Sequence, residues 1–115
     1  MPPVTTKRTA AQGPFFVTVR GTHLRVLFSR YRDNQRTTIH LSDIETGEPY
    51  ATATVNIPEL PLKSTEVFVK DYSENEGVLE ALERAGIVRH TGRRIRCGFV
   101  EVPICELLID TEEDQ

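Results

Sequence analysis

The chain has 115 residues, of which 38% are hydrophobic and 27% are charged, and its formal net charge is −3. This length is typical of one domain with its own core, and no apolar run approaches the roughly 20 residues of a transmembrane helix. Because the first residues also lack the apolar stretch of a secretory signal, we expect a cytoplasmic protein without membrane spans.

Composition divides the chain into three segments. Residues 1–13 are polar and hold two prolines and a glycine, which is typical of a flexible N-terminal arm. Residues 110–115 are mostly acidic and have almost nothing apolar to bury, so an acidic disordered tail is predicted there. Residues 14–109 are predicted to form a single α+β domain.

The domain is predicted to open with two strands. Residues 15–19 and 24–28 are rich in aromatic and β-branched side chains, which favour strands. The Gly21-Thr22 pair between them predicts the turn.

A second pair of strands is predicted from strict alternation of apolar and polar residues. The alternation covers residues 36–42 and 50–57, on either side of a glycine turn, and is typical of a hairpin with one solvated face. It predicts that Ala53 points inward and that His40 and Thr54 point outward.

The most detailed local signal is a helix predicted for residues 74–85. Ser73 and Glu76 have the spacing of a capping box, in which each side chain accepts a hydrogen bond from the other residue's backbone N–H. Gly86 followed by Ile87 is the usual end of a helix in a Schellman motif. A proline-containing loop at 58–62 and a strand at 66–70 precede this helix.

The last part of the domain is predicted to be strands. Residues 87–90 and 93–97 flank a predicted turn at 91–92, Gly98 indicates a bulge, and Pro103 is expected at a strand end or a sheet edge. The predicted fold class is therefore α+β: a mostly antiparallel sheet of about six or seven strands with one helix packed on one face.

Charges are segregated along the chain. Residues 1–40 carry seven bases and one acid, residues 41–83 two bases and ten acids, residues 84–96 five bases, and residues 97–115 six acids. Because sequential elements usually pack together, we interpret the basic and acidic segments as neutralising each other. The alternative is a nucleic-acid-binding hairpin, since arginines with interleaved aromatics can hold a single strand. Its candidate residues are Arg89, Arg93, Arg94 and Arg96.

No catalytic, cofactor or metal motif is recognisable. Phosphate-binding glycine loops and C-x-x-C pairs are absent, and the three histidines stand singly. His40 lies near hydroxyl side chains, and Cys97 could meet His90 across the predicted turn. A solvated histidine and a packed thiol are the simpler interpretations. We predict no catalytic, cofactor-binding or metal-binding residue, and we expect Cys97 and Cys105 to be free thiols.

A candidate partner-binding site lies where the strand at 66–70 ends and the helix begins. Backbone amides are concentrated there, and Tyr72 offers an amphipathic anchor between charges of both signs. The candidate residues are Lys70, Asp71, Tyr72 and Asn75. The simpler interpretation is that these residues only build the corner between the two elements.

Three strings in order resemble a family of small uncharacterised proteins encoded on bacterial plasmids, integrated elements and phages. They are residues 47–58 (GEPYATATVNIP), 69–77 (VKDYSENEG) and 98–105 (GFVEVPIC), and the likeness covers roughly residues 40–108. The resemblance implies a cytoplasmic accessory protein of a mobile element and assigns no activity, cofactor or catalytic residue. We therefore expect a non-catalytic protein-binding module, with a nucleic-acid binder and a small enzyme as alternatives.

Overall fold

The computed structural model describes residues 8–111, which form ten strands, one α-helix and two short 3₁₀ helices. The α-helix, α1, is Val78–Arg84, and the 3₁₀ helices are Ala10–Gln12 and Ser73–Asn75. The strands are β1 (Arg8–Thr9), β2 (Phe15–Val19), β3 (Thr22–Arg30), β4 (Thr37–Asp43), β5 (Pro49–Thr52), β6 (Thr54–Val55), β7 (Glu66–Val69), β8 (Val88–Cys97), β9 (Val100–Leu107) and β10 (Ile109–Asp110). The predicted combination of many strands with one α-helix is confirmed for these residues.

The single sheet of six or seven strands was wrong, because the described strands are divided among three sheets. The first sheet has the order β2-β3-β4-β5 and the second has the order β6-β7-β9-β8, and all neighbours in both are antiparallel. A short parallel pair, β1-β10, is the third. The mostly antiparallel character is confirmed.

The first two predicted strands are confirmed as β2 and β3, with the turn at Arg20-Gly21, one residue earlier than predicted, because Thr22 already belongs to β3. Val19 pairs with Thr22, so the loop has only two residues. Arg20 and Gly21 both have positive φ, 49° and 83°. Two successive residues in this region form the type I′ turn, whose twist matches that of the strands it joins.

The second predicted hairpin is only half formed, because the chain changes sheet at Ala53. The N–H of Ala53 donates to the Ile39 carbonyl in the first sheet (2.7 Å), and its carbonyl accepts from the Lys70 N–H beside the second (2.7 Å). Thr54 is therefore buried rather than solvated. Its hydroxyl accepts the Ile39 N–H (3.3 Å) and pairs with the Tyr31 hydroxyl (3.0 Å), so a polar residue is satisfied at the junction.

The two four-stranded sheets share one core. Alternate residues of both sheets point into the same buried cluster, among them Leu24, Ile39, Val69 and Leu107. The apolar side of α1 joins this cluster, and the helix contacts β2 and β8, the edge strands of the two sheets. The helix thus closes the side of the core opposite the Ala53 junction, instead of covering one face of a single sheet.

The start of the predicted helix was wrong and its end is confirmed. Ser73 lies in the left-handed region (φ 55°) and opens a 3₁₀ helix, so no capping box forms, and α1 starts only after Gly77. At the other end, Gly86 has φ 74°, and its N–H donates to the Glu83 carbonyl (3.0 Å). The Ile87 N–H donates to the Leu82 carbonyl (2.9 Å), which completes the Schellman motif.

The predicted turn and bulge of the last strands were exchanged. Residues 91–92 do not turn the chain but form a bulge inside one long strand, β8, which pairs with β9 on both sides of it. The turn is instead at Gly98 and Phe99, because Cys97 pairs with Val100. Gly98 has φ 64° at the first turn position, as a type II′ turn requires.

Pro103 lies where β9 changes its pairing. It is opposite Arg94 of β8, and the pairing of β9 with β7 extends only from Ile104 onward. Proline has no N–H to donate. At this position β9 has no neighbour in β7, so no hydrogen bond to β7 is lost. The prediction that Pro103 ends its strand or lies at the sheet edge was wrong, because Pro103 lies inside β9, a central strand, at a position where β9 pairs only with β8.

A second, smaller apolar cluster lies on the far side of the second sheet. Phe68, Val102 and Ile104 point there, away from the main core, together with Ile57. The predicted loop at 58–62 covers this cluster with Leu60 and Leu62.

The two ends of the described chain lie side by side. Residues 1–7 of the predicted arm and 112–115 of the predicted tail lie outside the described residues. Arg8 and Thr9 pair with Ile109 and Asp110, and the Arg8 guanidinium donates to the Gly86 carbonyl (2.9 Å) at the end of α1. Within residues 8–111, no helix is long and apolar enough to cross a membrane.

Candidate interaction surface

The structure uses the four residues of the predicted partner-binding corner internally. Asn75 is only 1% exposed, and its side-chain amide donates to the Thr52 carbonyl (2.8 Å). It therefore joins the 3₁₀ helix to the end of β5. A residue buried in this way has no surface to offer a partner.

The other three corner residues also have partners in the fold. Lys70 forms an ion pair with Glu74 (2.6 Å), which raises the pKa of Lys70, and its ammonium lies 5.5 Å from the Tyr72 ring centre. Tyr72 packs against the second apolar cluster, and Asp71 pairs with Arg94 (3.5 Å). The geometry favours the simpler interpretation, in which these residues build the corner.

Three of the four arginines in the alternative nucleic-acid site form ion pairs. Arg89 pairs with Glu106, Arg93 with Glu66, and Arg94 with Asp71. Each pair joins the basic segment 84–96 to an acidic segment, as the interpretation of mutual neutralisation predicts. Among residues 8–111 only Arg96 of the four has no ion-pair partner, so little positive charge remains uncompensated on this strand.

Glu66 anchors the most buried of these pairs. Its carboxylate accepts hydrogen bonds from the Arg93 guanidinium and from the Lys63 backbone N–H (3.1 Å). Burial alone would raise the pKa of Glu66, but the hydrogen bonds and the charge of Arg93 outweigh it, and the net direction is downward. Glu66 is therefore held in its charged form.

The arginines of the N-terminal half have another role. Several donate to backbone carbonyls instead of carboxylates, and so hold chain segments together. Arg20 reaches the Glu76 carbonyl before α1 (3.1 Å), and Arg36 reaches the Ile57 carbonyl in the covering loop (2.9 Å).

The nucleophile–histidine pairs that the sequence suggested do not form as proposed. His40 hydrogen-bonds through its two ring nitrogens to Thr38 (3.2 Å) and Thr52 (3.3 Å). His90 and Cys97 lie seven residues apart on one strand, β8, which separates them by about 20 Å. Within the described residues, no group of three or more His, Cys, Asp or Glu side chains could hold a metal ion.

The two thiols are free and have opposite environments. Cys97 is exposed and Cys105 is buried. Cys105 pairs with His90 and Cys97 with Val100, at opposite ends of the β8–β9 ladder. Their Cα atoms are therefore separated by about 17 Å at strand spacing, whereas a disulfide needs them within about 7 Å.

The outward side of the first sheet, which we call the outer face, was predicted as a solvated face of the second hairpin, and sequence reasoning missed its apolar extension across β2 and β3. It carries three large apolar side chains with substantial exposure: Phe16 (52%), Leu27 (41%) and Tyr50 (39%). Phe16 is opposite Arg25 across β2 and β3, and Leu27 is opposite His40 across β3 and β4. The alternation of β2 and β3 already placed Phe16 and Leu27 outward, and their apolar character there was the available signal.

A shallow cavity of about 450 Å³ lies on the outer face between β3, β4 and β5. Leu27 and Tyr50 supply its apolar walls, and His40 and Thr52 supply polar groups. Within residues 8–111 no helix covers this cavity, whereas Phe16 on the edge strand borders a separate depression of about 280 Å³ that it shares with Ala81 and Arg84 of α1. The outer face is thus a mixed apolar and polar surface that a partner can reach.

One further aromatic side chain is fully exposed. Phe99 lies at the tip of the β8–β9 turn with a relative exposure of 101%. It stands apart from the outer face, on the second sheet, and has no apolar neighbour at the tip beside Gly98. It is a single exposed side chain and not a surface.

Comparisons of the chain with protein-family models, with curated proteins and with solved structures found no match.

Proposed function

We propose that this protein is a non-catalytic protein-binding module, an accessory factor of a phage or plasmid, and that it binds its partner through the outer face. The observation that carries the proposal is the exposure of Phe16, Leu27 and Tyr50 on one side of a four-stranded sheet. The mobile-element origin rests on the resemblance of the three sequence strings.

The composition of the outer face is that of an interface. Tyrosine and arginine are enriched among residues that dominate binding energy, and the outer face has Tyr50 and Arg25 beside two apolar side chains. Burying the exposed parts of Phe16, Leu27 and Tyr50 would contribute roughly 3 kcal/mol before the costs of association. A face of this kind supports a moderate-affinity contact, while its threonines and histidines keep it soluble without a partner.

The test is capture of a partner from lysate of a bacterial host, followed by measurement of its affinity for matched variants. In the double variant Phe16→Thr/Leu27→Thr, the apolar area is removed and strand propensity is kept. We expect its affinity for the captured partner to fall by about tenfold or more, because each lost contact contributes about 1 kcal/mol. The melting temperature should stay within a few degrees of the wild type.

The control variant is Phe99→Thr, which removes a still more exposed aromatic side chain from the second sheet. We expect it to bind as the wild type does. If Phe99→Thr loses the partner and the double variant keeps it, the contact lies at the hairpin tip and not on the outer face. If nuclease treatment of the lysate abolishes capture, the chain binds nucleic acid instead of protein.

A further inference from the structure

A second, separate pocket lies between the β3–β4 turn and the loop that leads into β7. Its volume is about 370 Å³, enough for several groups of the size of a water molecule. We call it the basic pocket. It is lined by Arg30, Asn34, Gln35, Arg36, Leu62, Lys63, Ser64 and Glu66.

Within residues 8–111, the positive charges of Arg30 and Arg36 are not balanced by carboxylates. Arg30 donates to the carbonyls of Gln35 (2.9 Å) and Thr111 (3.2 Å), and Arg36 donates to two carbonyls of the covering loop. Neither forms an ion pair with any residue between 8 and 111. A guanidinium has five N–H groups, so each arginine keeps donors for a further acceptor.

The remaining charges leave the basic pocket positive. Glu66 is its one acidic lining residue, and Arg93 already neutralises that carboxylate. Lys63 is exposed, and its ammonium has no ion-pair partner among the described residues. Three cations therefore line the same concave surface, with the Ser64 hydroxyl beside them.

We propose that the basic pocket binds a phosphate group. Arginine and lysine side chains that line one pocket and retain free N–H donors are the usual protein ligands of phosphate oxygens. The hydrogen bonds to carbonyls keep the two guanidinium groups in place before a ligand arrives, which lowers the cost of ordering them. The phosphate belongs either to a small phosphorylated molecule or to a nucleic-acid backbone.

The experiment measures binding of inorganic pyrophosphate to the full chain by calorimetry at low salt. We expect saturable binding that weakens as salt rises, because the contacts are ionic. Lys63→Gln should weaken it by about threefold and Lys63→Glu by about tenfold, following the change in charge. Arg96→Gln is the matched control, because it removes one exposed positive charge from the second sheet and should leave binding unchanged.

A second measurement identifies the source of the phosphate. If a twelve-nucleotide single strand binds and pyrophosphate displaces it, a nucleic-acid backbone is the natural source. If pyrophosphate binds and the strand does not, a small phosphorylated molecule is the source. The proposal is overturned if pyrophosphate shows no saturable binding, if Lys63→Glu binds it as tightly as the wild type, or if Arg96→Gln weakens it equally.

Discussion

The buried thiol of Cys105 makes the protein sensitive to alkaline pH. Burial is the main cause that raises the pKa of Cys105 from 9.0 to about 12, and the nearby negative charges of Glu83 and Asp71 add to it. The folded state thus keeps the proton on Cys105 at a pH where the unfolded chain has lost it. The contribution is complete below pH 9 and is lost progressively as the pH rises toward 12.

The magnitude follows from the size of the shift. Each pH unit above 9 lowers the free energy of unfolding by at most about 1.4 kcal/mol, so the loss at a pH of about 10.5 is about 2 kcal/mol. The variant Cys105→Ala has no thiol to titrate. It is less stable than the wild type at pH 8, by about 1 kcal/mol for the lost buried atom, but it should lack this part of the pH dependence.

The assay is urea denaturation of the wild type, Cys105→Ala and Cys97→Ala at pH 8 and at a pH of about 10.5. We expect the wild type and Cys97→Ala to lose about 2 kcal/mol more than Cys105→Ala between the two conditions. The tyrosines and lysines that titrate in this range are common to all three proteins and cancel in the comparison. If the pH dependence of all three is the same, the argument from burial is refuted.

Four further substitutions test how the fold is held together, each by urea denaturation. Gly86→Val should cost more than 2 kcal/mol, because a β-branched residue opposes the φ of 74° and its Cβ would lie 2.8 Å from the Arg8 guanidinium. Asn75→Ala should cost about 1–3 kcal/mol, since it leaves a carbonyl without its donor, whereas Ser73→Ala should lie within about 0.5 kcal/mol of the wild type because no cap is lost. Arg36→Met should cost about 2 kcal/mol through the loss of two charge-assisted hydrogen bonds to the covering loop.

The sequence predicted best the features that depend on neighbouring residues. The end of α1 at Gly86 is one, because only the residues of the last helical turn take part in a Schellman motif. The turn at Gly21 is another, since a two-residue loop between alternating strands requires positive φ at that position.

The start of the helix shows where local reasoning stopped. The spacing of Ser73 and Glu76 suits a capping box, but Asn75 is drawn into the core to bond the Thr52 carbonyl. That long-range bond occurs together with a 3₁₀ turn at Ser73, and α1 begins only after Gly77. Tertiary contacts therefore outweighed a good local signal.

The candidate sites divide in the same way. The sequence placed Arg89, Arg93 and Arg94 together on a predicted hairpin. Their carboxylate partners lie 17 to 27 residues away in sequence, and only the folded chain brings them together. Phe16 and Tyr50 likewise share the outer face because β2 to β5 form one sheet, which no local pattern specifies.

By itself, the sequence determined most of the segments that extend and the left-handed glycines at a hairpin turn and a helix end, Gly21 and Gly86. The tertiary structure alone decided that Gly98 turns the chain while Gly92 lies in a bulge, because the difference depends on whether β9 pairs with residues on both sides of the glycine. It also decided that the chain changes sheet at Ala53. Thr54 can be buried there because its hydroxyl has two partners, the Ile39 N–H of β4 and the Tyr31 hydroxyl from the turn before β4.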